Sequence, residues 1–183
     1  FVRLWYHEMQ REFFDRFNTL DDRQWFSKTM TSLIDKHFRL TWSTLCKTEF
    51  PQFNDFADRS QQYKECTLNE EEILKVCNEM LVDHNRDATK QLDIVLFREA
   101  VDHLSSLCRI LKMRRGHAML VGVKSSGRKS LARLALPMSQ IELFDIQITR
   151  TYGFTEWRED MKNLMKQCGQ DLPTALLISD VQI

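Results

Sequence analysis

The chain lacks an excess of charge of either sign: 26 basic and 26 acidic residues cancel among its 183. That balance removes the electrostatic case for nucleic acid or an anionic membrane as the main partner. No apolar run approaches the roughly 20 residues of a membrane span. The stretch from Phe1 to Leu20 is too charged and amphipathic for a signal peptide. No initiator methionine stands at position 1, so an excised segment of a longer protein is expected. Repeats, low-complexity tracts and C-x-x-C pairs are absent. The cysteines, Cys46, Cys66, Cys77, Cys108 and Cys168, are odd in number and widely spaced. Buried reduced thiols, as in the cytosol, are expected rather than a zinc site or a disulfide framework. His7-Glu8 begins an H-E-x-x-H helix, but Arg11 stands where the second histidine belongs.

The first half reads as helical. Trp5, Met9, Phe13 and Phe17 recur every four residues, which predicts a helix over 3–19. Asp21 with Gln24 resembles a capping box for a second helix, whose buried face is Phe26, Met30, Leu33 and Ile34. Leu40, Trp42 and Leu45 follow without a clear period. Pro51 to Tyr63 reads as a connector lying over another surface. Asn69 with Glu72 caps a further helix with core positions Ile73, Val76, Cys77, Met80 and Leu81. Glu70 to Glu72 form its N-terminal charge cluster. His84 to Lys90 reads as a polar turn. Leu96, Phe97, Ala100, Val101, Leu104 and Leu111 then mark another helix.

The texture changes at Gly116. Ala118 to Val121 is a short continuous apolar run, suited to a strand buried on both faces. Ser130 to Leu136 reads as a helix stopped by Pro137. Ile141 to Ile148 reads as a strand. Thr155 to Cys168 is an amphipathic helix built on Trp157, Met161, Leu164 and Met165, with Gly169 as its stop. Ala175 to Ile178 is a second buried strand. Strand, loop, helix, strand, helix, strand argues for an α/β domain with right-handed crossovers and a mostly parallel sheet.

Between the first strand and its helix, Gly122 and Gly127 hold the glycine positions of G-x-x-x-x-G-K-[ST]. Such a loop turns successive backbone N–H groups inward, and the helix N-terminus adds a partial positive charge. The span Gly122, Val123, Lys124, Ser125, Ser126, Gly127, Arg128, Lys129 and Ser130 is therefore the candidate phosphate site. Arg128 stands where the lysine belongs and Lys129 where the Mg²⁺-binding hydroxyl belongs. Arginine pairs with phosphate but is not equivalent to lysine. Ser130 serves Mg²⁺ only if the loop shifts by one residue. Lys124 and Ser125 are tolerable there if the backbone avoids positive φ. Leu176-Leu177-Ile178-Ser179-Asp180 is an apolar strand ending in aspartate, so Asp180 is the candidate metal ligand. Val181 and Gln182 follow it, and neither is a competent base. His103 and His117 read as packed or capping residues, and Arg3 as a solvated arginine.

These residues resemble a family. Arg3-Leu4-Trp5-Tyr6-His7-Glu8 with Phe14-Asp15-Arg16 is similar to the helical lid ending the third AAA+ module of dynein heavy chains. Leu96-Phe97-Arg98-Glu99-Ala100, His103 and Arg109-Ile110-Leu111 look like the entry to the fourth module. Gly116 to Val123 resembles its first strand, and Ser126-Gly127-Arg128, Ser130-Leu131 and Arg133-Leu134-Ala135 continue the match. Tyr152-Gly153, Trp157 to Met161 and Asp180 to Ile183 match later parts. The Arg128 and Asp-x-Gln-Ile variants look axonemal rather than cytoplasmic.

The resemblance implies three parts. Residues 1–50 are the helical lid of a preceding AAA+ module, 51–90 a helical connector, and 91–183 the N-terminal part of an incomplete P-loop AAA+ domain of three αβα layers. It implies a segment of an ATP-driven, minus-end-directed microtubule motor of cilia and flagella, in the cytoplasm, the cytoskeleton and the axoneme. It implies ATP or ADP with Mg²⁺ at a regulatory site on residues 122–130, with Asp180 on the metal side. Arg3 becomes the sensor of the neighbouring module's nucleotide. Implied partners are the other AAA+ modules and, through the parent protein, intermediate chains, light chains and microtubules. Relatives of this type carry glycines where Lys124 and Ser125 stand, and glutamine at Lys129. The family also places a later strand between the loop strand and the Asp180 strand, so a gap in the sheet is expected. The alternative is a structural ring module without nucleotide. An unrelated small P-loop enzyme needs a lysine-hydroxyl pair and a base that this chain does not present.

Overall fold

The structure, a computed structural model, describes residues 1–46, 51–58, 60, 62–87 and 91–179. They divide into two compact units, Phe1–Leu68 and Asn69–Ile183.

In the first unit, α1 (Val2–Glu12) is followed by a 3-10 turn at Phe14–Arg16, then α2 (Leu20–Phe38) and α3 (Trp42–Leu45). The helix expected over 3–19 thus ends seven residues early. Its stripe is also rotated: Tyr6, His7 and Gln10 are buried, whereas Phe13 is half exposed. Tyr6, Phe26, Met30 and Ile34 form the core, flanked by Trp5, Met9, Phe14, Phe17, Trp42 and Leu45. Leu33, expected on the buried face, is exposed instead. The cap of α2 is Thr19, not Asp21: its Oγ1 accepts the Asp22 N–H at 3.2 Å and donates to the Asp22 carboxylate at 2.6 Å. The threonine hydroxyl satisfies an otherwise orphaned helix N–H. Beyond α3, Phe53–Asn54 (β1) pairs antiparallel with Lys64–Glu65 (β2). The expected connector therefore closes on itself, and it buries Phe56 completely.

In the second unit, α4 (Glu70–Asp87) opens with the Asn69/Glu72 box as expected. Glu72 N–H donates to Asn69 Oδ1 at 2.9 Å, and Asn69 N–H to Glu72 Oε2 at 2.8 Å. The helix continues through His84, where a turn was expected. Asn85 then fastens the next segment, since its amide exchanges two hydrogen bonds with the Leu92 backbone at 2.7 and 3.0 Å. α5 (Arg98–Lys112) buries Ala100, Val101, Leu104, Leu107 and Cys108, and leaves Phe97 exposed at its N-cap. It packs on α6 (Arg128–Met138), which buries Leu134, Ala135 and Leu136. Pro137 sits inside the last turn of α6 instead of stopping it. β3 (Glu142–Asp145) pairs in parallel with β4 (Thr174–Leu177), and α7 (Phe154–Cys168) makes the crossover. β3 is shorter than the strand expected over Ile141 to Ile148, and β4 keeps the expected length but begins one residue earlier. Met165 points outward from α7, and Gly169 follows it as the C-cap.

The buried strand expected at Ala118 to Val121 does not form. The segment has no ladder, and Met119 and Val121 are 89% and 81% exposed. A strand needs a neighbour to take its N–H and C=O groups. Among the described residues, β3 and β4 pair only with each other. Of two further expectations, that of free, buried cysteines holds in part and that of packed histidines does not. Cys46 and Cys66 are half-buried and Cys168 is exposed, leaving Cys77 and Cys108 as the buried thiols. His103 and His117 are exposed rather than packed.

Candidate phosphate-loop site

The candidate site begins where α5 ends. The C-terminal turn of α5 closes through Met113 N–H to Ile110 O at 3.1 Å and Gly116 N–H to Met113 O at 2.9 Å. The chain then runs without regular secondary structure to Gly122. Residues 123–127 form the loop, and Gly127, with φ at +77°, caps α6. Only glycine adopts that φ without cost. The Val123 carbonyl accepts the Ser126 N–H at 3.3 Å, and Leu131 N–H returns to Gly127 O at 2.8 Å. Of the sequence-predicted residues, 122–127 lead into the N-terminus of α6 and 128–130 form its first turn, the arrangement that favours an anion.

The loop's departures from the pattern have visible consequences. Lys124 avoids positive φ, but Ser125 does not; it sits at +64°. A left-handed residue with a Cβ costs roughly 1–2 kcal/mol, so the condition set for Ser125 is not met. Arg128 folds back across the loop, and its Nη2 donates to Val123 O at 3.2 Å. A Cβ at Gly122 would lie 3.2 Å from Ser126 Oγ and 3.4 Å from Arg128 Cδ. The first loop glycine therefore makes room for the arginine stem. Lys124 and Lys129 are exposed, which leaves the rim of the loop cationic.

Arg133, on α6, pairs with Asp145 at the carboxyl end of β3. The two side chains are only 17% and 28% exposed, so this pair ties the loop helix to the sheet. An open groove of 510 Å³ lies beside it, lined by Asp145, Gln147, Thr149, Tyr152, Glu156 and Asp160 among others. Tyr152 donates to Asp160 Oδ2 at 2.5 Å. Loss of water, then this hydrogen bond and the nearby Asp160 and Glu156 charges, push its pKa up to about 12. Sequence reasoning assigned these residues no role. The signal for Asp145 was the one used for Asp180, an aspartate ending an apolar strand.

Asp180, with Val181 and Gln182, lies outside the described residues. Among the described residues, no group of three or more His, Cys, Asp or Glu side chains could hold a metal. Arg3 is not simply solvated: its Nη1 donates to Leu45 O at 3.1 Å and its Nε pairs with Glu65 at 2.9 Å. It belongs to the first unit, and the loop to the second.

A glycine-bounded loop opening a helix beside a parallel strand pair defines a P-loop protein of the α/β class. Residues 92–183 match the family described as the P-loop containing dynein motor region D4, and the chain belongs to that family. Over its full length it is similar to axonemal heavy chains. It is 36% identical across 185 residues to dynein axonemal heavy chain 1 of Homo sapiens, and spans 4% of that protein. It is 34% identical across 198 residues to dynein axonemal heavy chain 3 of Mus musculus, and spans 5% of it. The chain thus covers a small part of the length of these relatives.

Proposed function

We propose that this chain is part of the AAA+ motor ring of an axonemal-type dynein heavy chain and carries a divergent regulatory nucleotide site. In this reading residues 1–50 end the lid of the third module, 51–90 connect, and 91–183 begin the fourth. The observation that carries it is the loop 122–130, shaped for phosphate at the start of α6. ATP or ADP would be held by the loop N–H groups and by the Arg128 and Lys129 cations. Bound Mg²⁺ would neutralise phosphate charge, with Asp180 as its protein-side partner. Arg3 would sense nucleotide in the preceding module.

Hydrolysis is not this segment's task. Val181 holds the position of the water-polarising glutamate, and Gln182 is a poor base. Minus-end movement on microtubules, the intermediate and light chains, and residence in the ciliary axoneme belong to the whole heavy chain. They come to this segment as part of the same proposal. The partners that touch it directly would be the adjoining AAA+ modules.

A second reading, a structural ring module that no longer takes nucleotide, is favoured by Arg128 lying across the loop and by Ser125 at positive φ. Calorimetry with Mg·ATP, on the motor region that includes the complete fourth module, decides between the two. Micromolar binding that weakens in Arg128→Ala is the expected result. A folded protein that takes up no nucleotide establishes the structural reading instead.

A further inference from the structure

We propose that Arg128 is an intramolecular latch on the phosphate loop, using a loop carbonyl as a stand-in acceptor that an incoming phosphate chain must displace. The inference rests on the phosphate-binding reading of residues 122–130. One position and two contacts carry it. Arg128 is the first residue of α6, yet its side chain turns back onto the loop that precedes the helix. Its stem crosses the first glycine, with Cδ and Nε 3.4 and 3.7 Å from where a Gly122 Cβ would stand. Its Nη2 then reaches Val123 O at 3.2 Å.

That carbonyl is also the acceptor that closes the loop, through the Ser126 N–H at 3.3 Å. One oxygen therefore gathers the backbone turn and the guanidinium together. A guanidinium is a five-donor planar group suited to phosphate, and a single neutral carbonyl uses little of that capacity. A di- or triphosphate offers it charged, bidentate acceptors. The latch consequently opens to phosphate and holds against weaker acceptors. Lysine at the same place has a point charge and no fork, so the substitution of arginine for lysine changes the gating of the loop and not only its affinity.

Two measurements on the intact motor ring test this. The first is hydrogen exchange at the Ser126 amide in nucleotide-free protein, wild type against Arg128→Ala. Loss of the latch is expected to speed exchange about tenfold, the equivalent of one charge-assisted hydrogen bond. The second is stopped-flow association of inorganic pyrophosphate, expected to be faster in Arg128→Ala because no contact must first be broken, with dissociation also faster. Unchanged exchange, with pyrophosphate still bound, overturns the latch and leaves the nucleotide reading standing. Pyrophosphate bound by neither protein overturns the competition together with the nucleotide reading, whatever the exchange shows. Slower association in the variant also overturns the latch, because Arg128 would then be only a phosphate contact.

Discussion

Replacing Gly116 and Gly127 with alanine separates two reasons for a glycine. At Gly116 the obstacle is space. A Cβ would stand 1.8 Å from Ile110 O and 3.0 Å from Met113 O, both backbone atoms. To admit it, the turn ending α5 must open. Opening that turn gives up the Met113 N–H to Ile110 O and Gly116 N–H to Met113 O bonds. At about 1 kcal/mol net for each hydrogen bond, and some further strain in the displaced segment, Gly116→Ala is expected to cost about 2–3 kcal/mol. At Gly127 nothing lies within 4 Å, and the only obstacle is φ at +77°. Gly127→Ala should then cost about 1–2 kcal/mol, and Gly127→Asn less, because asparagine tolerates the left-handed region. Urea unfolding followed by far-UV circular dichroism measures all three, compared at constant m. The reasoning is refuted if Gly116→Ala costs no more than Gly127→Ala, or if Gly127→Asn costs as much as the alanine.

Leu134 is fully buried on α6; Leu134→Ala is expected to lose about 2–5 kcal/mol in the same unfolding experiment. Leu20→Ala, at a 74% exposed position, should stay within about 0.5 kcal/mol. Tyr152 should titrate late, with its pKa at about 12 against an ordinary 10.0. The folded protein holds this proton more tightly than the unfolded chain. The stabilisation is therefore complete below the unfolded pKa and disappears as pH rises through the folded one. Ultraviolet difference titration of wild type against Tyr152→Phe should show a late tyrosine step that the variant lacks.

Local chemistry was legible in the sequence. The Asn69/Glu72 box forms as expected because its partners are three residues apart and need no tertiary help. From α6 onward the expected order of helix, strand, helix and strand also follows, with β3 and β4 parallel, whereas the strand expected before the loop does not form. The candidate loop was legible for the same reason, since glycine spacing before a helix sets its backbone. What failed was burial. The four-residue stripe of α1 placed Phe13 inside, but the helix stops at Glu12 and the core selects Tyr6. The Asp21/Gln24 signal lost to Thr19 because the helix began two residues earlier than the hydrophobic pattern implied.

The sequence by itself determined the glycine-bounded loop, the arginine and lysine that alter it, and the family. All of these are set by residue identity and short spacing. Only the tertiary structure decided which apolar runs become strands, because a strand exists through a neighbour's hydrogen bonds. Ala118 to Val121 has the composition of a buried strand and, among the described residues, joins no ladder. It alone decided, too, that the Arg128 guanidinium turns onto Val123 O and that Arg133 meets Asp145. Those contacts depend on how the backbone brings distant or turned-back side chains together, and composition does not encode that.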